Sequence, residues 1–519
     1  MNTIKKLFLV GALFSSAACS QFTNKTNPGE QALSFNKQHI FYTGEAIYNS
    51  QNEIEAAAKS GEWLIWAEDP RRELWIASLS NETLAPRKIA TLEHGIDGIC
   101  AAPLSDTTLD VFISDGDGDM YHYWLNPQTK QIRQVRKLAT NPDVERCLVN
   151  TSALVYLDPY LGVMSIDRNP ETDTVIRPAN IALNRDLIAK VSSAPESQIL
   201  EHAHLAPQAE FPLISADIET DAVERNGDAA DDPAIMHTAT GTLWIAGTDK
   251  QQGLRIYNAQ GRQIHFLDRG RLNNVDSLAL GENRFLLTAT NRTTRSIDVF
   301  IAEPDNNRIE FIHAIDLTLD DPYGLCMGKN AQGQPVVFAG DSDGLVQYWK
   351  LNSDYRGGEM LAEYTFDSQT EGCVYDNLQG HLYVGQEDKG IWRINPSSGD
   401  RTLMETMTQG NLVADVEGLD IYYGEQQYLI ASSQGDDSYV VYQLAPWKML
   451  SKFRIGPNTE TGIDGASETD GLAVSAQAIA GYPKGILVVQ DGRNRSPAGN
   501  QNFKLIDWQK INTLLVTPE

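Results

Sequence analysis

Between residues 231 and 472 the chain sets a polar or acidic residue, a small residue and an apolar run in the same order six times. The copies start at Asp231-Asp232-Pro233-Ala234, Asp276-Ser277-Leu278, Tyr323-Gly324-Leu325, Glu371-Gly372-Cys373, Glu417-Gly418-Leu419 and Asp470-Gly471-Leu472. Counted from Ala234, the steps between the small residues are 43, 47, 48, 46 and 53. A unit of that length cannot bury its apolar face alone and must stack on its neighbours, and this is the period of a propeller blade.

Within each unit the start is followed by apolar strands ending in aromatics, such as Leu254-Arg255-Ile256-Tyr257 and Ile391-Trp392-Arg393-Ile394. Turn signals such as Pro396-Ser397-Ser398-Gly399 separate them, which predicts antiparallel strands rather than helices. The expected fold is all-β, a six-bladed β-propeller. Radial repetition would bring the six starts together at one end of a central channel.

The first half is organised differently. Residues 1–18 carry Lys5-Lys6, an apolar run and Ser16-Ala17-Ala18, the layout of a signal peptide. Cys19 directly after it predicts lipidation, hence an outer-membrane or cell-surface lipoprotein, with a periplasmic or secreted protein as the alternative. Residues 19–40 read as a polar tether. Cys100 and Cys147 are 47 residues apart, as are Cys326 and Cys373, and the two pairs are offset by 226, which marks an internal duplication. Export permits disulfides within each pair, the alternative being two pairs of buried thiols. The earlier copy, residues 41–205, has room for about three blades and is expected to be an incomplete propeller. Residues 186–226, with Pro195, Pro207 and Pro212, read as the connection, its last part supplying a strand that closes the second propeller. The complete ring is expected over residues 206–519.

Net charge is −27, which disfavours nucleic acid and anionic membranes as partners and favours cations. Asp231, Asp232, Glu371, Glu387, Asp415, Glu417, Asp464 and Asp470 would crowd one mouth, where like charges cannot all stay ionised without cations. Oxygen ligands in this number point to several Ca²⁺ ions. Lys250 and Arg292, each after the first strand of its blade, suit phosphate oxygens. None of the nine histidines stands in a metal-ligand pattern.

Gly227–Ile235, Arg271–Asp276, Gln369–Gly372, Asp415–Leu419, Ala431–Gly435, Glu468–Gly471, Gln490–Gly492 and Asn500–Lys504 together resemble the β-propeller phytases over residues 210–519. The first half resembles the incomplete N-terminal propeller of dual-domain members. The resemblance implies an alkaline, calcium-dependent phosphoric monoester hydrolase of the 3-phytase type. It would act on myo-inositol hexakisphosphate (phytate) by attack of a calcium-bridging water. It implies that Asp232, Glu371, Glu387, Asp415, Glu417, Asp464 and Asp470 surround calcium, and that Asp491 belongs to a structural calcium site. Lys250, Arg292 and Tyr323 would contact the phosphate, and Glu371 would orient the water. A monomer is expected.

Three departures from the family stand out. Asp341-Ser342-Asp343 occupies a loop where members carry a lysine, Met236 replaces a tryptophan, and Arg493 replaces an acid. Glu145 falls at the place of Glu371, but Asp97 replaces Tyr323, so the first half is expected to aid capture or stability. The competing reading is a calcium-binding surface propeller that is non-catalytic or runs another reaction, such as a lactonase. That reading leaves Lys250 and Arg292 at the same mouth unexplained.

Overall fold

The computed structural model describes residues 33–515, apart from 81–82, 173–174, 194–197, 202–204, 206–208, 480 and 497. The expected signal peptide, Cys19 and most of the expected tether lie outside the described residues. Residues 33–40, expected within the tether, are folded: strands Leu33–Phe35, His39–Tyr42 and Glu45–Asn49 form a sheet. Leu33 and Ile40 are buried, and this apolar anchoring makes the segment part of a fold.

Six sheets build the C-terminal ring. Their inner strands are Ala230–His237, Leu272–Gly281, Pro322–Lys329, Thr370–Asp376, Val416–Tyr423 and Leu472–Ser475. Each packs on the next and the sixth packs on the first, so the ring is closed. Ring closure is made by the connection: Ile218–Glu219 pairs antiparallel with Asn502–Asp507 as the outermost strand of the sixth blade. Leu213–Ser215 adds in parallel to the outer strand of the fifth. Thus a strand from before the first blade ties the last one.

Burial falls from channel to rim. Second strands such as Leu243–Asp249 are buried throughout because a neighbouring blade covers each face, whereas the outermost Arg308–Asp316 is largely exposed. The core lies between blades: Met236, Trp244 and Ile256 pack against Leu272, Leu287 and Phe300. Met236 is therefore an inter-blade core residue.

The N-terminal half has three blades, with inner strands Glu53–Ser60, Gly98–Pro103 and Cys147–Val149 packed in an arc. Cys100 is bonded to Cys147 across the second and third of these, and Cys326 to Cys373 across the third and fourth of the ring. Each bond closes a loop spanning 47 residues, a constraint on the unfolded chain worth about 3–4 kcal/mol. Helix Ile181–Ser193 packs on the third blade and overlaps the start of residues 186–226, expected as the connection. A second helix, Trp508–Leu515, covers the fifth and sixth blades, with Trp508 stacked on Tyr422 at 3.9 Å.

Candidate active site at the channel mouth

One local device places the site. In five of the six inner strands the pairing with the second strand skips two residues: 231–232, 273–274, 323–324, 371–372 and 417–418. In the sixth, Asp470 and Gly471 stand just before the strand. Such bulges take side chains off the ladder and turn them toward the channel end. The true repeat position is thus Asp232, Asn274, Gly324, Gly372, Gly418 and Gly471. Ala234 and Ser277, expected to mark the first two copies, sit two and three residues further on. Glycine is required where blades touch: a Cβ on Gly324 would collide with the Glu371 carbonyl oxygen, and one on Gly372 with that of Glu417.

The bulges converge on a carboxylate cluster. Glu371, Glu387 and Glu417 each offer an oxygen within 4.8 Å of the others. Glu371 is 4% exposed and accepts a hydrogen bond from Asn273 Nδ2 at 2.9 Å. Asp415, half-buried, adjoins them through the N–H of Val416, which donates to the Glu387 carbonyl at 3.2 Å. Asp231 and Asp470 face the same mouth around Lys250, whose Nζ lies 3.4 Å from Asp231, 2.8 Å from Asp470 and 3.0 Å from Asp228.

Arg292 is held on its other side by Asp321, with Nε 2.8 Å from Oδ1, and its Nη1 donates to Asn273 Oδ1 at 3.3 Å. Its guanidinium lies over the Tyr323 ring at 5.2 Å. Asn273 therefore bridges Arg292 and Glu371. Lys250, Arg292 and Glu387 all follow the second strand of their blades, counted from the channel, because the bulged start is itself a strand.

Asp232 and Asp464 belong elsewhere. Asp232 accepts the Val275 N–H at 3.1 Å and lines a cavity of about 30 Å³ within the channel, beside Asp276 and Asp420. Asp276 and Asp420 accept backbone N–H groups of Met327 and Val474 from the next blades, at 2.8 and 2.7 Å, so these acids are structural. Asp464 is not with the mouth acids but sits with Asp491 around buried Lys504. The sequence placed it at the mouth, but it lies on the loop that precedes the sixth inner strand, eight residues ahead of Leu472.

Asn273, Asp321, Gln434 and Asp228 are functional neighbours that the sequence reading missed. Gln434 donates to Asp470 at 2.7 Å. Asp321 precedes Pro322 as Asp232 precedes Pro233, a signal that could have found it. The loop lacking a lysine instead provides Asp341, whose Oδ2 accepts the Asp320 N–H at 2.7 Å and the Asp321 N–H at 3.3 Å, orienting the partner of Arg292.

Burial pushes Glu387 up to about 8, with Glu371 adding to the effect, and Asp470 up to about 6. Burial likewise raises Asp231 and Glu417 well above the carboxylate range, and Glu371 raises both further. Burial alone would lower the Lys250 ammonium, but Asp231, Asp470, Glu371 and Asp228 hold it well above its usual value. Among the described residues, no hydrogen bond reaches Oδ2 of Asp231, Oε1 of Glu387 or Oε2 of Glu417, and Oδ1 of Asp231 has only the Lys250 ammonium at 3.4 Å. Acceptors left without donors in a buried, like-charged cluster fit a hard cation with oxygen ligands.

A stability prediction follows from the raised groups. Without metal, the folded protein holds more protons than the unfolded chain, so this stabilisation is complete below about pH 4 and is lost as pH rises through about 8. Melting temperature in a chelator is expected to fall by roughly 5 °C between pH 5 and pH 8. Calcium should flatten the decline, and calorimetry at fixed ionic strength checks both.

Fold and mouth together define a β-propeller enzyme with carboxylates and cations gathered at one channel end. The comparisons name which one. A family model described as Phytase matches residues 183–517, and the chain belongs to that family. It is 34% identical over 336 residues to the 3-phytase of Bacillus subtilis (strain 168), covering 60% of this chain and 87% of that protein. Among solved structures, the Saccharomyces cerevisiae Sqt1 crystal structure aligns with 78% of this chain and 96% of its own, at 10% identity and a TM-score of 0.27. That score carries no weight for the fold.

Proposed function

We propose that the protein is a calcium-dependent phosphatase removing phosphate monoesters from phytate, exported and anchored through lipidated Cys19. The observation that carries this reading is the convergence of Asp231, Glu387 and Glu417, each with a buried oxygen that no hydrogen bond reaches, with Lys250 and Arg292 at one mouth. Family membership supports the hydrolase class.

Glu371, Glu387, Glu417, Asp231, Asp470 and Asp415 would hold the cations. Calcium bound there would neutralise phosphate charge and make a water easier to deprotonate. The remaining steps belong to the chain's own groups. Lys250 and the Nη1 edge of Arg292 bind phosphate oxygens and offset the charge that develops on them. Asn273 fixes both the Arg292 edge and the Glu371 carboxylate, setting the distance between anion binding and water orientation. The half-buried Tyr323 closes one side, its hydroxyl kept protonated by burial and by Glu371 and Asp231. Export agrees with two disulfides in one chain.

The test is phosphate release from phytate by the full chain, with calcium and again with excess chelator. Release only with calcium supports the reading. Unchanged release in chelator would remove calcium from it, and absence of release in both conditions would favour a binding propeller.

A further inference from the structure

A second buried carboxylate cluster lies where the two halves meet. Glu171, from the N-terminal half, is 6% exposed, and its carboxylate accepts the Ser467 hydroxyl at 3.0 Å and the Gly465 N–H at 3.3 Å. Its backbone carbonyl accepts Arg493 Nη1 at 2.6 Å. Asp464 and Asp491, both 0% exposed, stand in the same cluster, and burial followed by these two acids drives the Glu171 carboxyl well up. A half-buried Glu219 lies 3.5 Å from Lys504.

The charges do not balance. Four carboxylates face the Lys504 ammonium, which contacts Asp464 and lies 3.0 Å from Asp491. Arg136 also approaches from the N-terminal half and adds one positive charge, its Nη2 donating to the carbonyls of Asp167 and Arg168, so the carboxylates still outnumber these two cations. Arg493 is paired with Glu468.

The unpaired buried atoms around this cluster include the donors Nε of Arg495 and Nε and Nη1 of Arg136, and also amide oxygens. Among the described residues, Oδ1 of Asn494 and Oδ1 of Asn502 accept no hydrogen bond, although these residues are 8% and 1% exposed, and Oδ2 of Asp491 has only the Lys504 ammonium, at 3.0 Å. Asn502 is the cross-strand partner of Asp491, so the two side chains share a face. The N–H groups of Arg493 and Arg495, flanking Asn494, donate to Asp491 and Asp464. Oxygen atoms without donors, gathered around excess negative charge, are the ligand set of a hard divalent cation.

We propose that the N-terminal half completes a cation site in the ring: Glu171 joins Asp464 and Asp491 as an oxygen ligand, so that one calcium ion would be held by residues of both halves. Arg493 ties the two halves at this point, its Nη1 donating to the Glu171 carbonyl, and Glu171 brings its carboxylate in from the other half. The incomplete propeller thereby becomes a fixed part of the enzyme.

The inference rests on the protein being a calcium user, yet it fails separately. Calcium bound per chain is counted by equilibrium dialysis on the full-length wild type, Glu171→Gln and Asp464→Asn, with hydrogen exchange followed at Gly465–Ser467. Glu171→Gln is expected to lose one ion, or to bind it at least tenfold more weakly, and calcium should slow exchange at Gly465 only in the wild type. Asp464→Asn should lose the same ion, while Glu371→Gln, altered at the mouth, should keep it. Near-wild-type melting of Glu171→Gln in chelator separates ligand loss from misfolding. An ion count and exchange pattern unchanged in Glu171→Gln, or an ion retained by Asp464→Asn, would overturn the proposal. Phytate hydrolysis that proves independent of calcium would instead sink the functional reading and leave the ion count standing.

Discussion

Glu371→Gln is expected to lower kcat for phosphate release from phytate about 10³-fold at saturating calcium while leaving the fold intact. The substitution keeps the shape and an acceptor for Asn273 Nδ2, now 2.9 Å away, but removes one of three anionic oxygens lying within 4.8 Å of each other. Calcium affinity should fall with it. Stability in chelator should move the other way. Glu371 raises the carboxyls of Glu387 and Glu417 by like-charge repulsion, so removing its charge relieves the metal-free cluster. Kinetics and melting in chelator therefore carry opposite signs for one mutant. A kcat within threefold of wild type would show that Glu371 does not act on the reacting water, and the assignment would pass to Glu417.

Lys250→Ala reverses that pattern. The Lys250 side chain is 12% exposed and lies among Asp228, Asp231 and Asp470, so its loss leaves the buried Asp231 and Asp470 carboxylates without their counter-ion. Breaking a buried charge cluster from one side costs about 3 kcal/mol in the absence of metal. A denaturation midpoint in chelator should fall accordingly, and calcium should restore most of it. Catalysis is not restored by the metal, because the lost group would contact phosphate: kcat/KM is expected to fall about 10²-fold or more. Full activity in calcium would mean that Lys250 serves only as a counter-ion within the acid ring.

Several of these residues were legible in the chain before any coordinates. Period and turn signals sufficed for six blades, since a unit of that length has one good way to bury its faces, and Glu371, Glu387, Glu417 and Asp470 stand in phase with it. The spacing of the four cysteines marked the duplication. Asp464 shows the limit: it sits only six residues before Asp470, yet Asp470 stands at the start of the inner strand and faces the mouth, while the loop carrying Asp464 folds back onto Lys504. Asn273 was given no role for another reason: an amide carries no signal until a neighbouring blade brings Glu371 and Arg292 beside it. Asp321 did carry one, its place before Pro322.

By itself, then, the sequence determined the quantities that are local and repeated: strand period, the order of polar, small and apolar residues, and the net negative charge that calls for cations. Only the tertiary structure decided which oxygens lack donors, that Asp341 props Asp321 behind Arg292, and that Glu171 enters a cluster of the other half. The physical reason is that a bulge shifts side-chain direction by a residue count that hydrophobic alternation does not register. Contacts between residues some 300 apart in the chain, such as Glu171 with Ser467, have no periodicity to announce them.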